Sequence, residues 1–387
     1  MQTRWIILFV LFFARTTMAF QFQSIAALSP YIVESLALRL LDIGLLIGLY
    51  LGPGVIVATL GGTVGTWFGD KRTVVASLGL MVLGSFAVAF APGFGWVAAG
   101  RVISGIGGVV INVLMTKMVL DWFIGHRVST ALGIFISSWP LGIALSLLVL
   151  PLLADLGGLA MAWNGLILLT VVALLLYSII YRSPDGSKPA PAKITFSALP
   201  WASLIQAAML WGLYNAAFAM LFGFGPLVLL DRGLSTSAAS SLTSLYMIFG
   251  AVGIPVGGWL ADRTARPYVV ISVSLFSGIV LFPVVLIAPL WSLAPLLCFG
   301  GFLIGLAPGP IVAMPGQILP EASRAFGTGV FYSIYYALMM VAPPLAGAVA
   351  DALGAVDVAF LIGAVFMAAA VLSLSLFRTL RMRESAV

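Results

Sequence analysis

Tyr50-Leu-Gly-Pro-Gly54-Val-Ile-Val-Ala-Thr-Leu-Gly61-Gly62 returns as Tyr246-Met-Ile-Phe-Gly250-Ala-Val-Gly-Ile-Pro-Val-Gly257-Gly258. The two stretches lie 196 residues apart. The same offset links Trp5 to Trp201, Phe22 to Phe218, Gly133 to Gly329, Phe135 to Phe331, Ser137 to Ser333, Ala154-Asp155 to Ala350-Asp351 and Gly158 to Gly354. One constant offset over most of each half marks an internal duplication rather than a local composition bias.

The medium in which the duplicated unit folds follows from composition. Charged residues make up 8% of the 387 and hydrophobic ones 62%, against about 25% charged in an ordinary soluble domain. Apolar stretches of about 20 residues follow one another, each long enough to cross ~30 Å of hydrocarbon. They lack the alternation of a transmembrane β-barrel, and a helix satisfies its own backbone polar groups in lipid. An all-α membrane protein of twelve transmembrane helices is therefore expected. The spans fall at about residues 5–29, 42–66, 72–92, 96–118, 128–152, 161–181, 198–224, 237–261, 268–289, 292–314, 325–349 and 355–377, with ends open by several residues. A polar, Pro- and Lys-bearing connector at 183–197 separates a six-helix bundle over 1–182 from a second over 198–387. Two homologous membrane halves are the usual plan of a secondary transporter, with the substrate between them near the midplane.

Lys and Arg set the orientation. With both termini cytoplasmic, fourteen basic residues fall inside (Arg4, Lys71, Arg72, Lys117, Arg127, Arg182, Lys188, Lys193, Arg263, Arg266, Arg324, Arg378, Arg381, Arg383) and two outside (Arg39, Arg232). The formal charge of +6 is thus loop bias and implies no nucleic-acid partner. A cleavable signal peptide around Thr17-Met18-Ala19 is the lesser reading of the first span, because that span has a counterpart from Trp201 to Phe218. The lone Cys298 rules out an internal disulfide. The single His126 and the lack of buried carboxylate pairs or a metal-spaced set give no enzyme, cofactor or metal reading.

Two loops carry the clearest motifs. Gly62 to Arg72 follows the second span and retains Gly62, Gly69, Lys71 and Arg72; Gly258 to Pro267 follows the eighth and retains Gly258, Asp262, Arg263 and Arg266, with Ala265 where the first copy has Gly69. The fourth span opens Arg101-Val-Ile-Ser-Gly105-Ile-Gly107-Gly108 and ends Lys117-Met-Val-Leu-Asp121-Trp122-Phe123. These stretches resemble the loop and fourth-helix motifs of the major facilitator superfamily. The resemblance implies the fold of two six-helix bundles, transport by alternating access, and loop charges that lock the cytoplasmic gate. The first loop carries Thr66 and Trp67 where the motif has its acid and base, so the second copy, with Asp262 and Arg263, is the better gate candidate.

Arg15 lies mid-span, too deep to reach either surface, and no Asp or Glu lies equally deep. An unpaired buried charge is expensive, so an anionic substrate is the expected partner, held by the planar guanidinium fork; the alternative is that Arg15 bonds backbone carbonyls and waters and holds the first helix. Arg15-Thr-Thr-Met-Ala-Phe20-Gln-Phe22-Gln23 and Ser138-Trp139-Pro140 resemble the cyanate permease and nitroimidazole transporter branch, which implies a small anion or anion-like solute. Helical spacing puts Ala19 and Phe22 on the Arg15 face, and Trp211, Asn215 and Phe218 on the equivalent face with Tyr214 beside them. Tyr50, Tyr246, Arg101, Asn112, Trp139, Tyr332, Tyr335 and Tyr336 complete the expected lining. The expected localisation is the bacterial inner membrane, and the expected state a lipid-embedded monomer. A multidrug or metabolite exporter of the same superfamily is the alternative reading.

Overall fold

The computed structural model describes residues 2–36, 38–58, 68–123, 128–182, 199–319 and 324–384. Those residues are overwhelmingly helical and contain no strand. In chain order the helices are α1 (Gln2–Ala27), α2 (Ser29–Leu36), α3 (Leu40–Leu51), α4 (Asp70–Ala89), α5 (Phe94–Phe123), α6 (Val128–Ile180), α7 (Trp201–Asp231), α8 (Thr236–Thr264), α9 (Pro267–Ile287), α10 (Leu293–Ile304), α11 (Pro308–Ile318), α12 (Arg324–Leu353) and α13 (Val358–Glu384).

Among the described residues, eleven segments are long and apolar enough to cross a membrane. One of them, Ile134–Ile180, has 47 residues and would be about 70 Å long if straight, over twice a bilayer core. It breaks at Gly157 and Gly158, where Gly158 has φ 71°, so it makes two crossings and the described chain makes twelve. Gly354, the repeat partner of Gly158, has φ 64° and follows α12. A left-handed residue ends a helix abruptly, and glycine adopts it without Cβ strain. The break is therefore far shorter than the loop expected at 153–160.

Prolines shape two other spans. The second is α3 followed by a turn at Gly52-Pro53 and a further helical stretch to Ala58. The tenth divides into α10 and α11 just before Pro308, which has no N–H to donate to the Ile304 carbonyl. The connector at 183–197 and Gly62 lie outside the described residues.

The duplication is visible in the packing. Gly105 is pressed against the Tyr50 carbonyl so closely that a Cβ would collide with it, and Gly301 stands in the same relation to the Tyr246 carbonyl. Tyr50 and Tyr246 therefore hold equivalent places. Between the halves, α3 packs on α12 and α6 on α8. Gly48 abuts the Met340 carbonyl, and the equivalent Ser244 Oγ donates to the Ala144 carbonyl at 3.0 Å.

An even number of crossings puts both termini at one end of the molecule. At the opposite end the halves are closed together. Gly347 meets the Leu40 carbonyl, and the Asp351 carboxylate accepts the Leu40 and Leu41 amides at 3.0 and 2.8 Å. It thereby caps the N-terminus of α3 from the other half.

Candidate substrate site and gate

Arg15 lies on α1 against α5 and α6. Its Nε donates to Asn112 Oδ1 at 3.0 Å. Its Nη1 donates to the carbonyls of Phe135 and Ile136, at 2.9 and 3.1 Å, and to Ser138 Oγ at 3.2 Å. The guanidinium carbon lies 4.8 Å from the Phe135 ring centroid. Pro140 explains one acceptor: it has no N–H for the carbonyl four residues earlier, which is Ile136. Every acceptor is neutral, and among the described residues Arg15 joins no ion pair. Nη2 makes no hydrogen bond there. Arg15 thus has more polar support than the sequence shows, while its charge has no carboxylate against it among the described residues.

Asn112 carries the network across the interface. Its Nδ2 donates to the Tyr336 hydroxyl at 3.1 Å on α12. Tyr332, Tyr335 and Tyr336 all lie within electrostatic range of Arg15. Their rings form a continuous wall, with centroids of Tyr335 and Tyr336 4.8 Å apart and those of Trp211 and Tyr335 5.8 Å apart. Phe22 stacks on Trp139 at 5.1 Å and meets Tyr50 edge-on at 5.5 Å. Between these surfaces is a cavity of about 10 Å³ lined by Met18, Tyr50, Asn112, Trp139, Tyr335 and Tyr336, among others. That is room for about one water, so this is a site with its walls drawn together.

Other expected lining residues do different work. Arg101 neither reaches a surface nor faces the cavity. It is 1% exposed, and its nitrogens donate to the carbonyls of Leu46, Gln21 and Phe22 at 2.8–2.9 Å, with the Tyr50 ring 4.5 Å away. It clasps α1 and α3 to α5. Ala19 packs against Gly142, while Met18, one residue earlier, lines the cavity. Tyr214 donates to the Ile304 carbonyl at 2.9 Å, a carbonyl that Pro308 leaves without a helical donor. Asn215 donates to the Trp211 carbonyl within its own helix. Tyr246 is buried, with no partner for its hydroxyl among the described residues. Sequence reasoning missed Met18, Ser138 and Phe135 as neighbours of the site. Their signals were the i, i+3 spacing from Arg15 and the proline that frees the Ile136 carbonyl.

A family model described as Major Facilitator Superfamily matches residues 5–240 and again 213–386. The chain belongs to the major facilitator superfamily. It is therefore a multi-pass membrane transporter and not an enzyme. It is 26% identical over 381 residues to the hexuronate transporter of Bacillus subtilis (strain 168), covering 90% of this chain and 89% of that one. It is 24% identical to the 2-nitroimidazole transporter of Escherichia coli (strain K12), covering 88% and 86%. A crystal structure of the nucleoside transporter NupG superposes with a TM-score of 0.77 at 14% identity, covering 97% of this chain and 99% of that one, which establishes the shared fold.

The superfamily loop motifs take different states in the two halves. After the second span, Gly69 precedes α4 with φ 81°, and the neighbouring Asp70 pairs with Lys117 at 2.7 Å, with Asp121 a further 3.7 Å partner of the same amine. Lys71 and Arg72 lie beside this pair at the start of α4. After the eighth span, Asp262, Arg263 and Arg266 are exposed. Arg263 stacks on Trp259 at 5.2 Å, and Asp262 has no ion pair among the described residues. The expected charge contact at Asp262 and Arg263 is not formed in this conformation; the first loop forms one instead.

Proposed function

We propose that this major facilitator moves a small, partly apolar monoanion across a bacterial inner membrane by alternating access, with both termini cytoplasmic. The substrate sits between Arg15 and the Tyr332, Tyr335, Tyr336 wall. One observation carries the reading: Arg15 is a cation deep in the membrane domain, beside a cavity between the halves, held among the described residues by neutral groups only. A lone cation in such a place is costly, and an anion arriving through an aqueous opening offsets that cost. Nη2 is left for it, and a guanidinium suits a carboxylate-like group.

The walls bear on substrate size and polarity. They are mostly aromatic, with Asn112 and the tyrosine hydroxyls as the polar groups. That lining favours a flat or weakly hydroxylated anion over a sugar acid, whose several hydroxyls would need as many partners. The hexuronate and 2-nitroimidazole named for the two relatives are a carboxylate and a flat ring, and each matches one half of this description.

The test is binding to purified protein in detergent, with benzoate, cyanate and glucuronate as probes and the neutral benzamide as control. Arg15→Ala should lose anion binding by at least about 100-fold, the scale of a lost charged contact with a desolvated partner, while a melting curve shows it folded. Arg15→Lys should recover little, because a point charge lacks the planar fork. A folded alanine variant that binds an anion as tightly as wild type would reduce Arg15 to a helix clasp.

A further inference from the structure

A groove of about 750 Å³ opens between the start of α9 and the end of α13, at the end of the molecule that carries the termini. Arg266 and Arg378 stand at its rim, and Tyr268 also lines it. The Arg378 guanidinium is 5.5 Å from the Tyr268 ring, which fixes the direction of a long side chain at low entropic cost. Below the rim, Val269, Val273 and Phe276 form the wall. They are 56%, 46% and 56% exposed, and their i, i+4, i+7 spacing puts them on one outward face of a helix that crosses the membrane. Among the described residues, no acidic residue lines the groove.

We propose that this groove is a binding site for one anionic phospholipid. The phosphate is held by Arg266 and Arg378, and an acyl chain lies along Val269, Val273 and Phe276. Each part of the lipid meets its match at the right depth: guanidinium forks at the headgroup level, and apolar surface below, inside the hydrocarbon. A soluble protein partner would leave that lower wall unused, because it lies within a membrane span.

The duplicated half supplies a contrast. The repeat partner of Arg266 is Asp70, whose carboxylate is engaged by Lys117, and the repeat partner of Val269 is Thr73, which is buried. The site is therefore specific to the second half.

The test is native mass spectrometry of the full chain in detergent, titrated with a phosphatidylglycerol, a phosphatidylcholine of equal chain length, and inorganic phosphate. Wild type should retain one phosphatidylglycerol in preference to phosphatidylcholine. Arg266→Gln with Arg378→Gln should weaken that binding by about fivefold per arginine removed, without changing phosphatidylcholine binding or the melting temperature. The double lysine variant should recover most of the preference. Equal binding of both lipids would make the groove ordinary annular surface. Phosphate that displaces the lipid at millimolar concentration would make it an ion site. Undiminished phosphatidylglycerol binding by the glutamine variant would also overturn the proposal.

Discussion

Around Tyr50 the first half joins its helices with polar atoms; around Tyr246 the second half builds the equivalent junction largely from carbon. Tyr50 donates to Gln21 Oε1 at 3.1 Å. Gln21 Nε2 in turn reaches Ser85, Ser104 and the Met81 carbonyl, and Arg101 spans three further carbonyls. Displacing Gln21 and Arg101 by 196 residues gives Ala217 and Leu297, both buried. The backbone contact beneath, glycine on tyrosine carbonyl, is the same in both halves. The fold therefore requires close helix approach there, and the chemistry above it is free to diverge. The divergence reaches the candidate site as well, since the repeat partner of Arg15 is Trp211. One half supplies the cation and the other supplies a large share of the aromatic wall.

The largest effect that would test this contrast is Arg101→Leu, which gives the first half the residue used by the second. Three hydrogen bonds from a charged donor disappear, each of about 1.5–3 kcal/mol, so a loss of at least ~3 kcal/mol in unfolding free energy is expected in detergent. A melting temperature within a degree of wild type would mean that the aliphatic solution serves either half, and that Arg101 is not a clasp.

Next in size is the seal at the end away from the termini. Asp351 caps α3 from across the interface, whereas its repeat partner Asp155 accepts the Tyr31 hydroxyl instead. Asp351→Asn removes the charge from the N-terminus of α3, worth about 1–2 kcal/mol. Hydrogen exchange at the Leu40 and Leu41 amides should therefore speed up roughly tenfold. Asp155→Asn should leave exchange at Thr236 and Ser237 unchanged. Equal responses at both places would dissolve the asymmetry.

Much of this architecture was legible beforehand because a duplication is a property of the whole sequence. Tyr50 and Tyr246, Gly158 and Gly354, and the helix count all follow from one offset and from hydropathy. The role of Arg101 was not legible, because its partners are carbonyls, which every residue carries and no sequence pattern marks. Ala19 and Met18 changed places because helical spacing sorts residues into faces about 100° apart, too coarse to separate neighbours beside a groove. The acid–base step of the loop motif pointed to Asp262, yet the ion pair of this conformation belongs to Asp70. Gate charges pair in one state and part in another, and a sequence carries no conformation.

A smaller test uses the two tyrosines themselves. Removing the Tyr50 hydroxyl breaks its bond to Gln21 and should cost about 1 kcal/mol. The Tyr246 hydroxyl is buried with no partner among the described residues, so Tyr246→Phe removes an unsatisfied polar group and should be neutral or slightly stabilising. The measurement is the difference between the two melting shifts. A destabilised Tyr246→Phe would reveal a partner for that hydroxyl, such as a water held between α8 and α10.

The smallest expected effect lies in the loop after the eighth span. Gly69 and Ala265 are repeat partners, and both have positive φ, at 81° and 53°. For Gly69 this conformation is free of Cβ strain. Ala265 is the one described non-glycine residue in this region, where a Cβ crowds the following carbonyl at a cost of roughly 1 kcal/mol. Ala265→Gly relieves that strain but also loosens the unfolded chain, which returns about 0.4–1 kcal/mol. The net should be a gain of a few tenths of a kcal/mol, read as a slightly higher melting temperature. The backbone should stay in place, because φ 53° and ψ 28° is a left-handed conformation that glycine adopts without strain. A lower melting temperature would mean that the Ala265 methyl makes contacts worth more than the strain it imposes.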